Sequence, residues 1–165
     1  MTKDPHEKEG VPVKRPEQNG QLRQPPGMRS EDLKAAADSG VRSNTHSMKV
    51  HADYLPLSES SVRTVIAIRF ENKDLLFASS EGKRKAVLNL YGRITSMSRR
   101  PVNVFEDTIT VDSPEALFGD IIKRSSLYEK SMPLAPGEYR LNVVARDVAS
   151  GKMNNYESGL NVPRP

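Results

Sequence analysis

The sequence predicts an all-β sandwich with one short crossover helix, preceded by an N-terminal tail without a core of its own. Three observations carry this. Apolar and polar residues alternate with period two over seven or eight stretches spaced about ten residues apart. Polar turns separate those stretches, and only near 113–124 does the period change to that of a helix. At 165 residues the chain suits one domain of ordinary size plus a tail.

The tail is read as residues 1–45 and the sandwich as 46–163. Residues 1–29 carry Pro5, Pro12, Pro16, Pro25 and Pro26 among charges of both signs, too little apolar surface to offset ordering entropy, so disorder is expected there. Residues 30–39 read as a short helix, with Ser30 as N-cap, Glu31 and Asp32 in the first turn and Gly40 to close it. Ten residues are marginal in isolation and only Leu33 is a large anchor, so the helix is expected to be transient or lightly docked.

From Ser47 the alternation begins. Met48, Val50, Ala52 and Tyr54 face one way, Lys49, His51 and Asp53 the other, until Leu55-Pro56-Leu57 and the serines at 58–61. Val62, Thr64, Ile66, Ile68 and Phe70 then mark a centrally placed strand, broken by Asn72-Lys73-Asp74. Leu75-Leu76-Phe77 reads as a short apolar return. Glu81-Gly82 turns the chain into a long strand with Ala86, Leu88, Leu90 and Ile94 inward and Asn89, Tyr91, Arg93 and Thr95 outward. Gly92, on the inward face, points to a bulge or a close backbone approach.

After a turn at Arg99-Arg100-Pro101, Phe105, Ile109 and Val111 alternate with Glu106, Thr108 and Thr110. Ser113-Pro114-Glu115 has the form of a helix start, with N-cap, proline and acid in order. Leu117, Phe118, Ile121 and Ile122 would form its apolar stripe, and the helix would cover one open end of the sandwich. Leu127 to Leu134 is the next strand. Pro136-Gly137 launches another, in which Tyr139, Leu141, Val143 and Ala145 alternate with Arg140, Asn142, Val144 and Arg146. A tyrosine just after such a turn matches the tyrosine corner of immunoglobulin-type sandwiches. A turn over 147–152 leads to Met153–Val162, with Tyr156, Leu160 and Val162 inward. The expected fold class is therefore an immunoglobulin/fibronectin-III-like sandwich of 7–8 strands, with an OB-like barrel as the competing topology.

Composition narrows the chemistry. Hydrophobic residues make up 36%, and there is neither cysteine nor tryptophan. Disulfides, thiolate zinc sites and cysteine nucleophiles are thereby excluded. Charges are balanced, 8 basic against 7 acidic up to residue 45 and 17 against 14 beyond it, so no polyelectrolyte partner is demanded. Met1 to Gly10 has no apolar signal region, and no stretch approaches the ~18 apolar residues needed to span a bilayer. No membrane insertion and no export signal within this chain are expected.

His51 and Asp53 could begin a metal site or hydrolytic pair, but zinc chemistry needs three or four convergent ligands, and His6 and His46 lie in or beside the tail. A solvated strand face is the expectation for them. Glu106, Asp107, Asp112 and Asp120 lack EF-hand spacing, leaving only a loop calcium as an option. Lys83-Arg84-Lys85 and Arg99-Arg100 flank one strand and so sit at opposite ends of the sheet. Tyr91, beside Arg93, is the one well-placed exposed aromatic between them, which is too little for a nucleic-acid stacking face. G-x-S-x-G, P-loop, dinucleotide and H-E-x-x-H motifs are missing. No catalytic, cofactor or metal residues are assigned, and no cofactor is expected.

Several blocks occur in an order and spacing that resemble a known family. They are Tyr54-Leu55-Pro56-Leu57, Glu71-Asn72-Lys73-Asp74-Leu75, Val87-Leu88-Asn89-Leu90-Tyr91-Gly92-Arg93-Ile94-Thr95 and Phe105-Glu106-Asp107-Thr108. With them go Ser126-Leu127-Tyr128-Glu129-Lys130, Leu134-Ala135-Pro136-Gly137-Glu138-Tyr139-Arg140-Leu141 and Asp147-Val148-Ala149-Ser150-Gly151-Lys152. Together they look like the C-terminal β-module of bacterial GWxTD-domain proteins, and a related block occurs in bacterial proteins described as VWFA-related. Pro25-Pro26, Asp32-Leu33 and Arg42 are similar to the linker before that module, so the resemblance runs from about Pro25 to Pro163. The Gly-Trp-x-Thr-Asp motif itself is absent, since the chain has no tryptophan. The resemblance implies an extracytoplasmic accessory or interaction sandwich and carries over no catalytic residue.

The expected function is thus a non-enzymatic accessory module that contacts another protein, or the rest of a longer polypeptide, or spaces a larger exported assembly. A ligand-binding sandwich for carbohydrate or calcium is the alternative. It would need two or three coplanar rings, whereas Tyr54, Tyr91 and Tyr128 fall on separate strands. A hydrolase, built around His51 with two carboxylates, is a third and weaker reading.

Overall fold

Residues 30–39 and 48–165 are described in the computed structural model of this chain. The expected disorder of residues 1–29, the capping role of Ser30 and the tail boundary at 45 lie outside the described residues and side chains. Among the described residues, eight strands form two sheets, a sandwich rather than a barrel.

One sheet joins β1 (Met48–Ser58), β2 (Ser61–Glu71) and β6 (Ser125–Leu134) in the order β1-β2-β6. The other contains β3 (Ala78–Ser80), β4 (Lys83–Ser96), β5 (Pro101–Pro114), β7 (Gly137–Asp147) and β8 (Met153–Val162). Here β5, β4, β7 and β8 follow one another, and the short β3 continues the β7 side of β4 over Lys83–Lys85. All pairings are antiparallel. This three-plus-four layout of long strands, with β6 returning beside β2, makes a two-sheet antiparallel β-sandwich.

The alternation in the sequence is what makes the two faces meet. Val62, Ile66, Ile68 and Phe70 of β2 and Leu88, Leu90 and Ile94 of β4 are essentially inaccessible to solvent and share one core with Leu141, Val143 and Val162. On β1, Met48, Val50, Ala52 and Tyr54 pack against that core while Lys49, His51 and Asp53 stay exposed. Tyr139 donates its hydroxyl to the carbonyl of Ala135 at 2.8 Å, as a tyrosine corner requires. Gly92 pairs with Phe105, and a Cβ at Gly92 would lie 1.9 Å from the Phe105 ring. The glycine is therefore there for close approach; the irregularity in this ladder comes later, between Ile94 and Thr95.

Two local expectations are corrected. Leu75-Leu76-Phe77 is no strand: the hairpin partner of β4 is Ala78–Ser80, and Leu76 is exposed while Leu75 fills the core. Ser113 caps no helix, because β5 stays in register with β4 as far as Pro114, and the Ser113 hydroxyl instead donates to the Pro114 carbonyl. A 3₁₀ turn over Glu115–Leu117 then leads to the one-turn helix α2 (Phe118–Ile121), which does carry the chain from one sheet to the other. Of its expected apolar stripe, Leu117 is exposed, whereas Phe118 meets Phe77 edge-on at 5.1 Å. The helix expected over residues 30–39 is present as α1 (Ser30–Ser39), lying on the outer face of the five-stranded sheet.

Candidate functional site

The residues singled out for chemistry stay apart. His51 Nε2 lies 3.0 Å from Asp53 Oδ1, and both side chains are about 70% exposed (73% and 69%), with no third ligand grouped with them among the described residues. Among the described residues, no group of three or more histidine, aspartate or glutamate side chains is placed to hold a metal ion. Asp107 instead accepts a 2.7 Å hydrogen bond from the Tyr128 hydroxyl across the two sheets. Burial first, and Asp107 second, push the Tyr128 phenol far above its ordinary range.

Arg84, from the first basic cluster, is occupied at the α2 end. Its guanidinium holds the Glu115 carboxylate through Nε and Nη2 at 2.7–3.0 Å and sits 4.1 Å from the Phe118 ring centroid. That contact keeps Glu115 below the usual carboxylate range. Arg99 and Arg100 lie beyond the far end of β4. Asp147, which the sequence reading passed over, is buried at the end of β7. It accepts from the backbone N–H of Leu76 at 2.8 Å and of Ala149 at 3.2 Å, tying the loop before β3 to the β7–β8 turn. An aspartate at the start of a turn that contains Ser150-Gly151, accepting from the backbone N–H two residues on, has the form of an Asx turn.

The aromatic candidates are also placed differently. Tyr54 and Tyr128 face the core rather than solvent. Tyr91 is only 2% exposed, because α1 covers it. The outer face of β4, β7 and β8 thus carries the most elaborate polar and apolar arrangement outside the core. Leu33 and Ala37, four residues apart and so on one helix face, pack on Tyr91 and Val144. Asn142 donates from Nδ2 to the carbonyl of Ala37 at 3.2 Å, and Asn155 from Nδ2 to that of Ala36 at 2.8 Å. Arg93 Nη1 meets Asp38 Oδ1 at 2.6 Å. Burial raises the Tyr91 phenol above its normal range, with the Arg93 charge opposing it.

These residues converge through register. Arg93 pairs with Asn142 across β4 and β7, and Val144 pairs with Asn155 across β7 and β8. Val104 of the edge strand β5 pairs with Arg93 on the same outer face and is half exposed, as is Val102. Cross-strand partners share one face of a sheet, so the patch is continuous from β5 to β8. Among the described residues, no helix is long and apolar enough to cross a membrane.

No family model matches the chain, and no curated protein matches it. Solved structures show a distant likeness. A β-glucuronidase of Bacteroides uniformis shares 13% identity at a TM-score of 0.49, covering 68% of this chain and 13% of that one. A glycosyl hydrolase family 2 member of Bacteroides cellulosilyticus shares 15% at a TM-score of 0.44, covering 68% and 14%. A Bordetella pertussis protein assigned as ApaA shares 12% at a TM-score of 0.46, covering 76% and 99%. The chain spans about an eighth of the first of these proteins. The fold therefore rests on the strands and their order, not on these neighbours.

Proposed function

We propose that this chain is a non-enzymatic β-sandwich accessory module that mediates protein–protein contacts or spaces a larger exported assembly. The observation that supports this best is where its charged side chains are engaged. Arg84 with Glu115, Arg93 with Asp38, and Asp147 with two backbone N–H groups each fasten one element to another. They brace a scaffold. Large apolar side chains left at the surface, Leu55 and Leu57 on β1 and Val102 and Val104 on β5, lie on edge strands, where a protein partner could cover them. The resemblance to the C-terminal module of GWxTD-domain proteins favours the same role and is the ground for the exported setting.

Two arms test this. Chemical cross-linking of the full chain in extracts of cells that make it should yield a defined heteromeric species, weakened by Val104→Asp or Leu57→Asp. Chromogenic ester, phosphate and glycoside substrates should not be turned over by the purified chain. Turnover that persists through repurification and disappears in His51→Ala would overturn the non-enzymatic reading.

A further inference from the structure

The last turn of α1 holds no basic side chain, and the C-terminal carbonyls of a helix turn outward for donors. The sheet meets them with side chains. Asn155 and Asn142 donate to the carbonyls of Ala36 and Ala37, and Arg93 places a cation where the helix dipole is negative. Tyr91 and Val144 form an apolar floor for residues at i and i+4. Asparagine and arginine on the exposed face of a sheet need only water, so this set of donors is fitted to the end of a helix.

The seat is also larger than its occupant. The Oδ1 of Asn142 is buried and has no partner among the described residues, although an open buried acceptor is costly. Val104 pairs with Arg93, and both it and Val102 on the same strand stay half exposed. A ten-residue helix is marginal by itself, and a helix on the same chain meets these contacts at a raised local concentration that a separate helix lacks.

We propose that the outer face of the five-stranded sheet is a docking site for a helix of a partner protein, held in the free chain by α1. The helix it fits is short, with apolar side chains at i and i+4 and an acid beside open carbonyls in its last turn. Further apolar side chains would reach Val104. Such a helix displaces α1 by covering more of the same patch, a helix-in-groove mode of recognition. This deepens the interaction-module reading and rests on it.

The test uses the full chain with Leu33→Glu and Ala37→Glu, which unseats its own helix, and a fluorescent peptide of residues 28–41 as probe. Anisotropy should show the peptide binding this variant at least about tenfold more tightly than the unaltered chain, where the tethered helix competes. Adding Arg93→Glu should remove most of that gain. Equal binding to both proteins, or none to a folded variant, overturns the site. Hydrogen exchange on the unaltered chain needs no variant to fold: the α1 amides should exchange at least about tenfold faster than those of β4. Protection of α1 equal to that of β4 would make it a fixed part of the fold and overturn the proposal. If the peptide fails while the heteromeric cross-link persists, the site is wrong and the module reading stands. Substrate turnover with normal peptide binding would do the reverse.

Discussion

Two tyrosines show how single hydroxyls tie this sandwich together. Tyr139 closes the turn before β7 by bonding to a carbonyl four residues upstream. Tyr139→Phe removes one hydrogen bond and leaves the ring in place, so it should cost about 0.5–1.5 kcal/mol in urea unfolding; an unchanged curve would mean the bond adds nothing. Tyr128 reaches across the sheets to Asp107, and its folded phenol titrates far above the unfolded value of about 10. A raised folded pKa means the unfolded chain loses the proton first. That stabilising contribution is then complete below about pH 10 and declines as pH rises above it. Unfolding measured at pH 8 and pH 11 should show a larger loss for the natural chain than for Tyr128→Phe, and parallel losses would refute the assignment. Tyr139 could be read from sequence because its partner is local. Tyr91 could not: its place on β4 was evident, but its cover, Leu33 and Ala37, comes from more than fifty residues upstream.

Among the elements, β4 is the one the others are built on, since β5 lies along one edge and β3 and β7 along the other. Its alternation was plain in the sequence, and so was the constraint at Gly92. The cause, the Phe105 ring lying over the glycine, depends on a register that composition cannot reveal. The Ser-Pro-Glu signature before α2 misled for a related reason. A local preference for capping gave way to continued pairing with β4, so Ser113 stayed in the strand. Gly92→Ala drives a methyl into a ring that is itself buried, and overpacking of that kind costs about 1–3 kcal/mol. Phe105→Leu alone should also destabilise. In the double variant, however, the smaller side chain makes room for the methyl, and the two losses should sum to less than their separate values. Strict additivity in a thermal or urea series would show that the ring is not what excludes a side chain at 92.

For the whole molecule the question is whether α1 belongs to the cooperative unit or rests on it. The main core is formed by both sheets and contains no residue of α1, whereas Leu33 and Ala37 form a separate cluster with Tyr91 and Val144 on the other side of the five-stranded sheet. Two cores separated by a sheet are loosened independently. Leu33→Ala can therefore cost no more than the free energy that seats the helix, because once α1 lifts away the sandwich has nothing further to lose. We expect a cost of about 2 kcal/mol or less, at or below the low end for buried leucines, with the cooperative transition retained. Ile66→Ala, in the centre of β2 and wholly enclosed, should cost about 2–5 kcal/mol by opening a cavity where both sheets meet. The two substitutions should add, having no shared neighbours. Urea unfolding followed by circular dichroism checks all three variants. A Leu33→Ala loss as large as that of Ile66→Ala, or strong coupling between them, would place α1 inside the folding unit and make the outer face of the sheet as essential to the fold as its inner one.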